Sequence, residues 1–157
     1  MTEGGRVAFI HLAPGAGEPM QALTHAEAIA GTGLRGDRYA DGSGHWSPIR
    51  RKGDQLTLVE AEELEAIAAA YGLHLPPGAT RRNITIRGIR LDGLLGRPFR
   101  IGDVECRGTR PCEPCSYLDG LLGQDVLPVL IHRGGIRAEI IKGGEIAVGD
   151  VVQVLSD

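Results

Sequence analysis

Two cysteines separated by two residues, Cys112 and Cys115, have the types and spacing best suited to chemistry in this chain. Pro114 suits the first position of a helix, because it has no backbone N–H to leave unpaired there. Cys115 would then lie in the first helical turn, where free N–H groups and the helix dipole favour a thiolate. The nearby Arg107 and Arg110 act in the same direction. Since the thiolate is both the nucleophile and the metal-binding form of cysteine, we predict that Cys115 is the reactive thiol.

Each cysteine also has an alternative interpretation. Cys115 could be a buried and inert thiol, which is a common state of free cysteine. Cys112 could be a resolving thiol that forms a transient disulfide with Cys115, or a structural residue. Cys106 lies in a predicted strand and is expected to be a core or surface residue. A zinc site made by the three cysteines and His132 is a competing hypothesis, although the chain lacks a second well-spaced ligand pair.

The run His132-Arg133-Gly134-Gly135 is the best anion-binding candidate. Arginine offers a planar fork to a phosphate, and two glycines allow backbone N–H groups to approach it closely. His132 could donate a proton, because histidine titrates near neutral pH, or it could be a polar boundary residue. The alternative for the whole run is a glycine turn between two elements.

A second polar cluster, Arg81-Arg82-Asn83, stands at the start of a predicted strand. The alternative for this cluster is a solvated face. Asp37 follows a glycine in a long loop, where it could line a pocket or order the loop, and ordering the loop is the favoured interpretation.

Composition limits the classes of function. The 157 residues carry a net charge of -3 with a pI near 5.9, which argues against nonspecific binding to nucleic acid or an acidic membrane. The sequence has no apolar run of transmembrane length and no secretory signal at its start. Three cysteines do not make a disulfide framework. We therefore expect one cytoplasmic domain over residues 1–157.

Glycine-rich turns between short apolar runs predict a mainly β fold. The 24 glycines and 9 prolines suit short strands better than long helices. The sequence predicts strands at residues 6–12, 55–59, 83–86, 99–101, 104–107, 136–141, 145–148 and 151–155. Together with one clear helix, these strands point to a β-barrel or a strongly curved sheet.

The clear helix is predicted at residues 60–71, where acidic residues begin it, Leu64, Ile67 and Ala68 form an apolar stripe, and Gly72 ends it. Other segments are less certain. Residues 21–30 fit a helix or a strand, residues 31–47 read as a long loop, residues 115–122 suggest a short helix, and residues 126–131 suit either state. The repeated run Leu-Asp-Gly-Leu-Leu-Gly, at 91–96 and 118–123, predicts apolar turns that tuck leucines under the sheet.

The order of these pieces resembles the MOSC domain family over nearly the whole chain. The matching pieces are Gly36-Asp37-Arg38-Tyr39, Val59-Glu60, Arg81-Arg82-Asn83-Ile84, Ile101-Gly102-Asp103, Pro114-Cys115, His132-Arg133-Gly134-Gly135, Gly143-Gly144-Glu145-Ile146 and Gly149-Asp150. Tyr39 departs from many small relatives, which carry histidine there, and some relatives lack a counterpart of Cys112.

The resemblance implies a β-barrel-like fold that binds molybdenum cofactor, a pterin with a phosphate tail. By the same match, Cys115 is the candidate molybdenum ligand or the carrier of a persulfide. The resemblance also favours a place at the cofactor pocket for Arg82 and Asn83. We also assign Asp37, Arg110, Arg133 and Gly134 to cofactor binding.

Two functions follow from this assignment. The first is a molybdoenzyme that reduces N-hydroxylated small molecules and receives electrons from a separate donor protein. The second is a sulfur carrier that works with a separate sulfur-donor protein and holds no redox metal. Pyridoxal phosphate is a weak alternative cofactor, since neither Lys52 nor Lys142 lies in a run that favours a Schiff base.

Overall fold

Short aliphatic runs separated by glycine turns form the strands of this protein. The structure is a computed structural model, and it describes residues 4–15, 19–37, 55–72, 74, 78, 80–112 and 135–155. Within these residues the strands are β1 (Gly5–Leu12), β2 (Gln21–Leu23), β3 (His25–Ile29), β4 (Gly33–Leu34), β5 (Leu56–Glu60), β6 (Ile84–Arg87), β7 (Pro98–Ile101), β8 (Val104–Pro111), β9 (Ile136–Lys142), β10 (Gly144–Ala147) and β11 (Val151–Val154). The helix α1 covers Ala61–Tyr71, and a 3-10 turn covers Leu91–Leu94.

Seven of these strands close into a barrel. They follow one another in the order β11, β7, β8, β9, β5, β6 and β1, and the pairing of β1 with β11 completes the ring. Closure leaves no free strand edge within the ring, which removes a site of edge-to-edge aggregation. The strand β2 adds to β1 outside the ring. The predicted mainly β, barrel-like fold is confirmed.

The strands β5 and β6 are the one parallel pair in the ring, because α1 crosses between them. All five residues of β5 are buried, since the core covers one face and α1 packs against the other. Ile67 points from α1 into this contact and is fully buried. The helix ends as predicted at Gly72, whose φ of 67° is the left-handed conformation that glycine favours.

The core fills the inside of the barrel. The largest fully buried side chains of this core are Phe99, Ile10, Leu34, Leu56, Leu58, Ile84, Ile86, Leu91, Leu94 and Ile101. Leu91 and Leu94 come from the 3-10 turn, which confirms that the first of the two repeated runs tucks leucines under the sheet. A second sheet, in the order β10, β3 and β4, packs Ala28 and Ile146 against the same core.

The structure resolves several of the open choices in the sequence. Residues 21–30 form the strands β2 and β3 and no helix. The expected long loop at 31–47 contains the short strand β4, and its residues from 38 onward lie outside the described part. The Gly102-Asp103 turn joins β7 to β8 as predicted. The predicted elements at 115–122 and 126–131 also lie outside the described residues. No described helix has the length and hydropathy to span a membrane.

Gly108 is required where β8 passes the 3-10 turn. A Cβ at this position would overlap the carbonyl oxygen of Leu94 and lie 2.8 Å from its carbon. We expect Gly108→Ala to lower the free energy of unfolding by about 2–3 kcal/mol, because backbone must move to relieve the overlap. Urea denaturation monitored by circular dichroism measures this change.

Gly93→Ala is the matched control, since a Cβ at Gly93 has no neighbour within 4 Å. This variant should stay within about 0.5 kcal/mol of the parent. Equal denaturation midpoints for the two variants would show that Gly108 does not limit the approach of the turn to β8.

Candidate functional site

The carboxamide of Asn83, just before β6, is hydrogen-bonded to residues of β5 and β1 and so links three barrel strands. We call these hydrogen bonds the Asn83 tie. Its Oδ1 accepts hydrogen bonds from the backbone N–H and from the hydroxyl of Thr57, both at 3.1 Å. Its Nδ2 donates to the carbonyl oxygen of His11 at 3.2 Å. The backbone adds two bonds, from His11 N to Asn83 O at 2.7 Å and from Asn83 N to the Thr57 hydroxyl at 2.9 Å. Both lone pairs of Oδ1 are therefore engaged within the protein, which makes Asn83 a positioning residue.

Arg82, the chain neighbour of Asn83, is a buried residue with only 9% of its surface exposed. It donates to the carbonyl oxygen of Thr80 at 3.1 Å and to the carbonyl oxygen of Cys112 at 3.0 Å. A solvated face, the alternative for this cluster, does not describe Arg82. Because Cys112 follows β8, this contact connects the start of β6 to the chain three residues before Cys115.

Asp37 orders the chain that leaves β1. Its side chain is fully buried, and Oδ1 accepts a hydrogen bond from the backbone N–H of Ala13 at 3.0 Å. This contact agrees with the favoured expectation that Asp37 orders a loop. It also draws Asp37 to the end of the strand that carries His11, and His11 in turn is bonded to Asn83.

Two arginines lie opposite each other on the neighbouring strands β8 and β9, and one of them is also in register with a partner of Asn83. Arg110 pairs in register with Arg137, and Arg137 pairs in register with Thr57 on β5. Both arginines are partly exposed. Like charges directly opposite each other on neighbouring strands are unfavourable unless other groups offset them. The sequence singled out Arg110 but missed Arg137, whose only signal is its polar place in the alternation of β9.

The described cysteines are buried. Cys106 lies in the barrel core between Phe99 and Ile140, and burial, assisted by the charge of Glu105, raises the pKa of its thiol to about 12. This confirms the core interpretation of Cys106 and makes it an unreactive thiol at neutral pH. Cys112 is also buried, and its backbone N–H donates to Gly135 O at 2.8 Å.

The bond between Cys112 and Gly135 places the two ends of the intervening segment side by side. That segment carries four predicted site residues, Cys115, His132, Arg133 and Gly134, which lie outside the described part of the chain. Gly135 has a φ of 91°, and a Cβ on it would overlap the carbonyl oxygen of Leu58. The backbone conformation and the lack of room for a side chain therefore require glycine here, as the glycine-turn interpretation expected.

Two buried titratable side chains were missed by the sequence analysis. Burial is the main cause that raises the pKa of Glu60, whose Oε2 accepts a hydrogen bond from Leu91 N at 3.1 Å. Burial likewise lowers the pKa of His11, a residue that is 4% exposed. The signal for His11 is a histidine within the apolar run of β1. Glu60 belongs to the matching piece Val59-Glu60 and to the acidic start of the helix, and neither pattern predicts that its carboxyl is buried.

Within the described residues, no three histidine, cysteine, aspartate or glutamate side chains form a cluster that could hold a metal ion. Lys142, one of the two lysines considered for pyridoxal phosphate, is exposed at the end of β9, and Lys52 lies outside the described residues.

Comparison with known proteins identifies a family. A model of the MOSC domain matches residues 32–153. No curated protein sequence matches the chain.

Solved structures share the fold at low sequence identity. The YuaD protein from Bacillus subtilis is 18% identical with a TM-score of 0.80, and the match covers 100% of this chain and 97% of that one. YiiM from Geobacillus stearothermophilus is 15% identical with a TM-score of 0.72, covering 97% and 75%. YiiM from Escherichia coli is 17% identical with a TM-score of 0.66, covering 100% and 71%. At these identities the likeness establishes the fold alone.

The tie made by Asn83 can be tested by truncation. Asn83→Ala leaves the Thr57 N–H, the Thr57 hydroxyl and the His11 carbonyl without their partner inside the protein. We expect the free energy of unfolding to fall by about 3 kcal/mol, because buried polar groups lose hydrogen bonds. Thr57→Val is the matched control, since it removes the hydroxyl, which bonds to the Asn83 side chain and backbone N–H, and keeps the bonds from Thr57 N–H and to the His11 carbonyl. The interpretation is wrong if Asn83→Ala loses no more stability than Thr57→Val in denaturant titrations.

The buried ring of His11 predicts a pH dependence of stability. Burial holds its pKa below the ordinary value of 6.5, so the unfolded chain binds a proton at a higher pH than the folded chain does. The free energy of unfolding should therefore decrease as the pH falls below 6.5. His11→Leu should flatten this slope, whereas His25→Gln, which removes an exposed histidine, should keep it. Denaturant midpoints across this pH range measure both, and a wild-type slope in His11→Leu would contradict the assignment.

Proposed function

The chain belongs to the MOSC domain family, and we propose that it binds molybdenum cofactor through the thiolate of Cys115. The observation that carries the proposal is the contact of the buried Arg82 guanidinium with the Cys112 carbonyl. A positive charge held in a poorly solvated place favours anions nearby, and Cys115 is three residues further along the chain. A soft thiolate also suits a thiophilic metal.

The phosphate tail of the cofactor would be held by arginines. Arg110 and Arg137 lie in register on adjacent strands, and arginine is the preferred residue for planar, bidentate contact with phosphate. Arg133 and Gly134 would add a side-chain fork and a backbone N–H. The bond between Cys112 and Gly135 supports this grouping, because it brings the residues that flank Cys115 and Gly134 together.

We propose that the reaction is the reduction of an N-hydroxylated small molecule to the corresponding N–H compound and water, with two electrons and two protons consumed. The bound cofactor would supply the two-electron redox chemistry. Cys115 would hold the metal, Arg82 would stabilise the thiolate, and His132 would give a proton to the departing oxygen. The electrons would come from a separate donor protein.

The second candidate function is sulfur transfer. A persulfide on Cys115 is an anion and would be stabilised by Arg82 in the same way as a thiolate. A persulfide on a separate donor protein would pass its outer sulfur to Cys115 and be left as a thiol. Cys112, as the resolving thiol, would then attack the inner sulfur of the Cys115 persulfide, which forms the disulfide between Cys112 and Cys115 and releases the outer sulfur as hydrosulfide. In both cases we propose that residues 1–157 act as one cytoplasmic domain. The place of β1 supports this extent, since it closes the barrel although it precedes the matched residues 32–153.

Metal content separates the two functions. In protein made by a host that produces the cofactor, we expect about one molybdenum per chain, because one thiolate binds one metal centre. Cys115→Ala should lose the molybdenum, whereas Cys106→Ala should keep it, since Cys106 is enclosed in the barrel core. Elemental mass spectrometry of the digested protein measures the molybdenum content, and mass spectrometry of the intact chain measures its mass.

The other outcomes are equally informative. Absence of molybdenum, together with a mass increase of one sulfur atom that Cys115→Ala abolishes, would replace the enzyme by the sulfur carrier. Stoichiometric zinc would overturn both functions. Molybdenum retained in Cys115→Ala would remove Cys115 as its ligand.

A further inference from the structure

The ring of His11 is a buried polar group that the proposed function does not use. It lies at the end of β1 with 4% exposure, and its Nδ1 has no hydrogen-bond partner among the described residues. Nearly all buried polar side-chain atoms in proteins are hydrogen-bonded, so an unpaired one calls for an explanation such as an absent ligand.

The ring is held in place from two directions. A Cβ on Gly78 would lie 2.7 Å from Cδ2 and 2.9 Å from Nε2, so the Gly78 backbone is pressed against that edge of the ring. The Nδ1 edge is turned away from Gly78. The backbone of His11 is fixed by its two hydrogen bonds to Asn83. The position of Nδ1 is therefore determined by the fold rather than by a partner of its own.

The surroundings of His11 are those of the candidate site. Two residues further along, Ala13 donates its N–H to Asp37, and Arg82 is the chain neighbour of Asn83. Burial lowers the pKa of His11, which keeps its ring neutral at neutral pH. Unsatisfied buried N–H groups are rarer than unsatisfied acceptors, which favours the proton on Nε2 and leaves Nδ1 as an acceptor.

We propose that His11 is a ligand-binding residue of this site and that its Nδ1 accepts a hydrogen bond from an N–H or O–H group of the bound molecule. This inference rests on the proposed function. Two occupants share the required chemistry, the pterin of the cofactor, which carries N–H groups, and the N-hydroxylated substrate, which carries an O–H group.

Nuclear magnetic resonance of histidine labelled with nitrogen-15 tests the proposal on the wild-type protein. Four samples are compared: protein from a host that cannot make the cofactor, protein from a producing host, and each of these with hydroxylamine but no electron donor. The Nδ1 signal of His11 should start as that of an unprotonated nitrogen without a hydrogen bond. A shift on cofactor loading alone identifies the pterin as the donor. A shift that needs hydroxylamine identifies the substrate.

Two variants separate ligand binding from packing. His11→Leu removes the acceptor, and His11→Asn keeps an acceptor oxygen near the place of Nδ1. His11→Leu should weaken binding of the identified occupant about five- to tenfold, as expected for one lost hydrogen bond, and His11→Asn should recover part of it. His25→Gln should bind as the wild type does.

Failure of the His11 inference can be distinguished from failure of the proposed function. Wild-type protein that contains molybdenum but shows no Nδ1 shift in any sample overturns the role of His11 and keeps the proposed function. Equal binding by folded His11→Leu and wild type does the same. Wild-type protein without molybdenum overturns the proposed function and this inference with it. If His11→Leu does not fold, the wild-type spectra and His11→Asn decide the matter.

Discussion

The hydrogen bonds of one buried carboxamide hold together the part of the barrel where its strand directions change. Six of the seven pairings in the ring are antiparallel, and β5 with β6 is the exception. Asn83 stands at the entry to β6, beside Thr57 of β5 and His11 of β1. An apolar side chain there would leave backbone groups of two neighbouring strands without partners in a place that water does not reach. The local fold and the polar site therefore depend on the same amide.

The tie also explains why polar residues gather near it. Since Asn83 fixes the end of β1, the backbone of the following residues is placed for Ala13 to meet Asp37. The same anchoring gives the His11 ring a defined position without a hydrogen bond to the ring itself. In this way the fold supplies the energy that orders the site, and polar atoms can stay available for a ligand.

Local patterns predicted much of this structure, because strand alternation and turn chemistry are encoded within a few residues. The hairpin at Gly102-Asp103, the helix stop at Gly72 and the buried Leu91 and Leu94 all follow from such short-range signals. The segment 21–30 could not be decided, since its alanines favour a helix, and it becomes two strands through the pairing of β2 with β1 and of β3 with β4 and β10. The pairing of β3 with β10 joins residues far apart in the chain.

The composition of the candidate site was less predictable for the same reason. Arg82, Asn83, Asp37 and Arg110 could be singled out by residue type and by resemblance. Arg137 could not, because its significance comes from its register opposite Arg110. His11 is 72 positions from Asn83, and no periodicity in the sequence reports that contact. Residue types indicate what chemistry is available, whereas pairing across the barrel decides which residues share it.

The partners of Arg82 bear on the state of the cysteine nearby. The carbonyls of Thr80 and Cys112 accept hydrogen bonds from the guanidinium and orient it. In a buried place a charge acts over a longer distance than in water, since screening is weak. The carbonyl that Arg82 holds belongs to Cys112, so the charge is fixed to the backbone that leads to Cys115. A thiolate, a persulfide and a phosphate are all anions, and each would be favoured there over its neutral form. In the proposed site, this charge would favour anionic ligands, and the ring of His11 would distinguish occupants by their hydrogen-bond donors.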